Sequence, residues 1–233
     1  MPEFQAGLQL FQEQGLLASK EGVRLLVKAA AAHEELGQFE EAIKEYKKAR
    51  RILEIADNLQ SKLGMDIVQR LADAYYELDD LESSEAHYTE VRDALQANDS
   101  LITESGGALL RQLGDVQAEL GAQFQALASY RKAKEAWEAS DCLKGIEAAS
   151  LLANLATLEA EELEPEVALA KFEEARKIFI EADALDTEQA TDLLVNIGTQ
   201  QLRAEQTEAA VRSLRKALDF FEGENLVESI DGA

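Results

Sequence analysis

The chain is poor in the residues that stop helices, cross-link strands and bind metals. It has two prolines in 233 residues, one of them at position 2, and that scarcity leaves room for long uninterrupted helices. A single cysteine, Cys142, has no internal partner, which points to a reducing compartment and a cytoplasmic protein. His33 and His87 are the only histidines, and with no cysteine or third histidine beside them no zinc site is expected. Aromatic residues are 6% while hydrophobic residues reach 46%, a balance that suits helices packed through Ala and Leu better than a β-sandwich core. Positive charge is in deficit: 23 basic residues stand against 46 acidic ones, a net charge of −23. Such a chain is repelled by phosphate backbones and anionic lipid, so neither nucleic acid nor a membrane surface is an expected partner. There is no run of about 18 apolar residues to span a bilayer, no basic-then-apolar leader and no phosphate-binding G-x-x-x-x-G-K-[ST] pattern.

What is present is a repeat. The stretch Leu26–Ile52, LVKAAAAHEELGQFEEAIKEYKKARRI, reads as two short amphipathic helices separated at Gly37-Gln38. The same pattern recurs every 42 residues without a gap, the turn falling at Gly37, Asp79, Gly121, Leu163 and Glu205. A small residue in the first helix recurs as Ala30, Ala72, Gly114, Ala156 and Gly198, and one in the second as Ala42, Ser84, Ala126, Ala168 and Ala210. Four places later a bulky residue reads Tyr46, Tyr88, Tyr130, Phe172 and Leu214, and a further small site follows at Ala49, Val91, Ala133, Ala175 and Ala217. Small residues facing large ones at fixed offsets let two helices approach and interlock. A fixed period of this length is the signature of a repeat architecture.

The stretches QLGDVQAELGAQFQALASYRKA and HEELGQFEEAIKEYKKA resemble the tetratricopeptide repeat, and the resemblance spans essentially the whole chain. It departs in two ways: the period is 42 rather than 34, and Glu54, Gln96, Glu138, Ile180 and Glu222 stand where a proline usually closes the second helix. The longer unit is similar to those of kinesin light chains and Pins/LGN spindle-orientation proteins. The resemblance implies an all-α, right-handed α-solenoid with five repeats, residues 23–64, 65–106, 107–148, 149–190 and 191–233, after a leading half-repeat, 1–22. The whole would form a single domain.

Phe4 to Gly22 aligns with the second helix and linker of the later units, and Gly232 falls where Gly22, Gly64 and Gly106 lie. This fits either a piece of a longer solenoid or a half-repeat acting as a natural cap. In the second full unit the helices are expected over about 64–78 and 81–96. Gly37 and Gly121 suit helix C-termini, and Pro165 suits a first helical turn. The final stretch, GENLVESIDGA, is acidic and expected to fray. In the linkers Asp57, Asp99, Asp141, Asp183 and Asn225 recur, each followed two places on by Leu59, Leu101, Leu143, Leu185 or Val227. These aspartates read as N-terminal caps with the leucine sealing the seam. The alternative, a row of metal ligands, would set carboxylates about 10 Å apart, too far to share an ion.

Candidate sites are few. His33 occupies the site of Tyr75 in the next unit and is expected to face the core, while His87 lies beside Tyr88 on a polar face. Trp137 shares its place with Phe11, Leu53, Leu95, Phe179 and Phe221 and reads as structural. There is no nucleophile–base pair and no ligand cluster, so no catalysis, no cofactor and no metal is expected. In tetratricopeptide solenoids the first helices line a concave groove. The matching site here reads Lys28, Arg70, Gln112, Asn154 and Asn196, all carrying N–H donors, with Arg24, Tyr76 and Arg111 nearby. Similar proteins use asparagines there to hold a partner's backbone. The chaperone-tail clamp of the family is not kept, since Val27, Ala31, Arg70, Ala108 and Gln112 stand at its sites. The resemblance thus implies a non-enzymatic scaffold that holds a partner peptide or segment, with acidic residues on the partner meeting Arg24, Lys28, Arg70 and Arg111. A receptor for a small signalling peptide and a docking or spacer region of a larger enzyme or assembly are the alternatives.

Overall fold

The computed structural model describes residues 2–223, with side chains from 6 to 222. Of the C-terminal stretch expected to fray only Gly223 is described, as the end of α11; the rest of it, with Asn225, Val227 and Gly232, and the side chain of Phe4 lie outside the described residues.

Eleven α-helices and no strand occur among the described residues. They are α1 (Pro2–Glu13), α2 (Lys20–Glu34), α3 (Phe39–Ile55), α4 (Lys62–Tyr76), α5 (Leu81–Ala97), α6 (Glu104–Glu119), α7 (Gln123–Ala139), α8 (Ile146–Glu159), α9 (Pro165–Glu181), α10 (Glu188–Arg203) and α11 (Thr207–Gly223). The chain divides into two compact units. One comprises Met1–Leu101 with Gln112–Ala126, and the other Ile102–Arg111 with Leu127–Ala233.

In the first unit α2 packs on α3 and α4 on α5, and α3 in turn packs on α4. Its core joins Leu26, Ala30, Ala42, Tyr46 and Ala49 to Ile67 and Leu71. In the second unit α8 packs on α9, α9 on α10 and α10 on α11, around Ala156, Ala168, Phe172, Ala175, Phe179 and Leu193. The small site of every second helix, Ala42, Ser84, Ala126, Ala168 and Ala210, is fully buried. The bulky site is buried from Tyr46 to Phe172, and half-buried only at Leu214. Ser84 is the one polar member of the small series, and its hydroxyl donates to the Ala72 carbonyl at 2.9 Å, which is what allows a hydroxyl there.

The linker aspartates are not N-caps. Asp57, Asp99, Asp141 and Asp183 have φ of 51°, 52°, 55° and 53°, the left-handed region used to end a helix. Asp57 N–H bonds the Glu54 carbonyl and Asn58 N–H the Leu53 carbonyl, a Schellman closure, and the same pair of bonds recurs at Asp99, Asp141 and Asp183. Asp serves because its short polar side chain tolerates this conformation better than most residues. The caps lie four residues further on. Ser19, Ser61, Thr103 and Thr187 each accept from the N–H three residues ahead, at 3.1–3.3 Å. Gly145 takes that place before α8 with no side-chain bond. The sealing role of the linker leucine holds for Leu59, which packs on the first unit's core, and for the buried Leu101, but Leu185 is 41% exposed.

The turn inside each unit closes in the same way at Gly37, Asp79, Gly121 and Glu205, all with positive φ. Leu163 does not. Pro165 takes the first position of α9 and pushes Glu164 into extended backbone at ψ 141°, as residues before proline are, so that turn follows another path.

Candidate functional site

The residues expected to line the groove sit on the first helix of each pair, and most already hold something. In the first unit the Tyr46 hydroxyl donates to Glu34 at 2.9 Å. Glu34 also receives Arg70 at 3.4 Å, while Arg70 pairs with Asp66 at 3.4 Å. One repeat on, Tyr88 donates to Asp73 and Gln112 Nε2 donates to the same carboxylate at 3.1 Å. Gln69 completes that set by donating to Gln112 Oε1 at 3.1 Å. Tyr76 donates to Glu119. In the second unit Asn154 donates to the Tyr130 hydroxyl at 3.4 Å, and Asn196 to the Thr157 hydroxyl at 3.2 Å. Arg111 is half-buried. The row Arg70, Gln112, Asn154, Asn196 therefore reaches back in each case to the repeat before it.

Burial sets the protonation behaviour of these carboxyls. Loss of water pushes Glu34 and Asp73 above the ordinary carboxylate range, and the hydrogen bonds from Tyr46 and Tyr88 only partly offset it. The Tyr46 and Tyr76 hydroxyls rise for the same reason, with Glu34 and Glu119 adding to the shift. In the second unit Glu159 behaves the other way. Burial raises it, but Lys171 at 2.8 Å and Arg131 outweigh that and hold it low.

Arg24 and Lys28 differ from the rest. Both are exposed and neither has a hydrogen-bond or ion-pair partner among the described residues. They border a depression of about 430 Å3 whose apolar lining includes Phe11 of α1, Leu25 of α2 and Leu63 of α4. Glu21 is the one acidic residue at its edge. Two cations without a partner among the described residues thus flank an apolar hollow.

The expected basic lining of the first three repeats is therefore only partly free. Arg70 is committed to the half-buried Glu34 of α2 and to the exposed Asp66 one turn back on α4. Fifteen of the 23 basic residues lie on the second helices α3, α5, α7, α9 and α11. That bias is visible in KEYKKARR, residues 44–51. His33 is half-buried in the last turn of α2, bonded through Nδ1 to Gln38 at 2.8 Å, and its counterpart Tyr75 packs against the first unit's core. Tyr75, at the same site, is also half-buried, with its ring 5.2 Å from His87.

A second hollow, of about 580 Å3, lies in the second unit beside Trp137, Cys142 and Lys144. The Cys142 thiol, pushed up by burial and by Glu104, is a poor nucleophile. No group of three or more His, Cys, Asp or Glu able to hold a metal occurs among the described residues, and no helix there is long and apolar enough to cross a membrane.

Paired helices closed by left-handed caps, with a polar row on the first helix of each pair, define a helical-repeat protein of the α-solenoid class. Residues 23–52 match the tetratricopeptide repeat family, so the chain carries a tetratricopeptide repeat there. Solved structures of similar fold include BtubC (BKLC) from P. vanneervenii, 17% identical with a TM-score of 0.69 over 95% of this chain and 88% of that one. A Podosopora anserina protein reported as a kinesin light chain with nearly identical TPR-like repeats is 13% identical, with a TM-score of 0.67 over 87% and 96%. YrrB, a TPR protein with an unusual peptide-binding site, is 18% identical, with a TM-score of 0.60 over 95% and 97%. A comparison with curated protein sequences finds no match.

Proposed function

We propose that this chain is a cytoplasmic, non-enzymatic scaffold that holds a segment of a partner protein along its first helices, starting at the Arg24–Lys28 depression. The observation that carries the reading is that these two cations have no partner among the described residues of a chain of net charge −23 and flank an apolar hollow. The preferred segment is acidic with one large apolar residue. Within the same unit Gln112 would meet its peptide groups, and Asn154 and Asn196 offer the same kind of donor on first helices of the second unit. The unbroken 42-residue register supports reading the chain as one run of repeats, and the peptide-binding site of YrrB, on a similar fold, supports the choice of ligand. Capture of partners on the immobilised chain, identified by mass spectrometry, supplies the ligand. Arg24→Glu/Lys28→Glu should then weaken binding and flatten its salt dependence. Unchanged affinity in that variant refutes the site.

A further inference from the structure

The hollow where α9, α10 and α11 meet is basic in a chain that is mostly acidic. It holds about 170 Å3 and lies within the second unit, apart from the Arg24–Lys28 depression of the first. Arg176 reaches it from α9, and Arg212 and Lys216 from α11, against one acid, Glu173. Glu173 is half exposed and pairs with Arg176 Nη1 at 3.1 Å, one turn along the same helix, an arrangement that neutralises little. Arg176 Nε is buried without an acceptor among the described residues. Arg212 and Lys216 have no partner among them either. On α10, Gln201 Oε1 accepts from the Ser213 hydroxyl at 2.9 Å, which leaves the Gln201 Nε2 donors without an acceptor among the described residues. The hollow thus offers donors from three helices. Leu194 and Ile197 also line it, and low-dielectric walls focus the field of the cations.

Two counterparts earlier in the chain show what has changed. Between α3 and α5, Arg50 stands at the place of Arg176 and Glu90 at the place of Lys216, and the two pair at 3.0 Å. Between α7 and α9, Glu159 stands at the place of Gln201 and holds Arg131 at 2.6 Å and Lys171 at 2.8 Å. Those clefts are closed by their own acids. In the last one Lys216 and the neutral Gln201 replace those acids, so cations stand together and repel unless an anion joins them. The side chains of Arg50 and Glu90 remain 24% and 31% exposed although the chain continues past α5. Access to such a cleft therefore does not depend on α11 being a last helix.

We propose that this hollow binds the phosphate group of a monoester. Three cations against one acid leave a surplus of two positive charges, which matches the charge of about −1.5 to −2 on such a group near neutral pH. A carboxylate would answer only one of them. The phosphate dianion carries acceptors alone, so it can take several of these donors at once through charge-assisted bonds. The volume is below the roughly 300–1,000 Å3 that encloses a whole small molecule. The phosphate enters, and the rest of the ester stays outside.

The test titrates the whole chain at constant ionic strength with two probes, inorganic phosphate and a capped Gly-phosphoserine-Gly peptide. The Arg176 Nε–H resonance, followed by NMR, should move in a saturable way with both. Tighter binding of the peptide assigns the group to a modified side chain, and tighter binding of inorganic phosphate assigns it to the free ion; either result supports a phosphate site. Acetate and the unphosphorylated peptide should bind about tenfold more weakly or not at all. Lys216→Glu, which restores the acid found at the place of Glu90, should melt like the parent and weaken phosphate binding about tenfold or more. Arg212→Gln should weaken it several-fold. Lys177→Glu makes the same change of charge outside the hollow, at an exposed site, and should bind like the parent. An Arg176 resonance unmoved by both probes, acetate binding as tightly as phosphate, or Lys216→Glu and Arg212→Gln binding like the parent overturns the proposal.

Discussion

Replacing Gly64 by alanine sets two effects of opposite sign against each other. Gly64 is the third residue of α4, and alanine in a helix is worth about 0.5–1 kcal/mol over glycine. On propensity alone the variant should be more stable. A Cβ built on Gly64, however, falls 1.9 Å from the Leu59 carbonyl oxygen and 2.6 Å from its carbon. Both are backbone atoms, so no rotamer change relieves the clash, and the linker must move by more than an ångström to reach ordinary contact. That linker holds the left-handed Asp57 closure and the Ser61 cap, whose Oγ accepts from Gly64 N–H at 3.2 Å. Loosening the cap costs about 1 kcal/mol and overpacking a further 1–3 kcal/mol. The net expectation is a loss of about 1–3 kcal/mol, or roughly 2–4 °C in Tm per kcal/mol for a chain of this size. The assay is a thermal melt followed by helical circular dichroism, with Gly22→Ala beside it, since its Cβ falls 2.3 Å from the Leu17 oxygen. A Tm equal to or above the parent's in both variants would mean that the linker yields freely, and the close-approach argument would fail.

Asp57→Gly should raise stability by about 0.5–1 kcal/mol, because glycine takes the left-handed conformation without penalty. A cap would instead lose by the change, so a lower Tm refutes the closure role. Gly107→Ala should destabilise and perturb Trp137 fluorescence, since the new Cβ would lie 2.5 Å from the indole ring, and an unaltered emission spectrum refutes that contact. Glu34, Asp73 and Asp192 bind protons more readily folded than unfolded because burial disfavours their charge. Their stabilisation is therefore complete below the ordinary carboxylate values and lost as pH rises through the raised ones. Tm should accordingly climb as pH falls from 7 toward about 5; a steady decline over that interval refutes the assignment. Glu159 acts in the opposite sense, its contribution being lost as pH falls through its depressed value.

The packing register was legible because it is written in residue size. Ala42, Ser84, Ala126, Ala168 and Ala210 need no partner to be recognised, since only small side chains fit where two helices touch. Helix ends were harder. Asp is favoured both as an N-cap and in the left-handed conformation, and position alone does not separate these uses. The discriminating signal was Ser61 and Thr103 four residues later, each three residues before a glycine. The site was least legible of all. That Arg70 answers Glu34 and Gln112 answers Asp73 depends on which side chains two neighbouring first helices turn toward each other, and a linear spacing of 36 or 39 residues carries no sign of it.

The same bonds bear on how a partner is held. Gln112, Asn154 and Asn196 each satisfy a group of the preceding repeat, so a partner that takes their N–H donors must first displace an existing bond. A neutral exchange of this kind leaves little net gain, because each intramolecular hydrogen bond is worth only about 0.5–1.5 kcal/mol and its former partner is left needing water. Arg24 and Lys28 have no bond among the described residues to give up. Affinity should therefore concentrate at the depression beside them, with the amides adding little. On that basis Asn196→Ala should change affinity little, while Arg24→Glu/Lys28→Glu should reduce it about tenfold or more, in line with the loss of charge-assisted bonds. Isothermal titration with the captured partner segment measures both. Equal losses from the two variants would mean that the amide row binds as strongly as the cations, and the division of labour argued from their existing partners would be wrong.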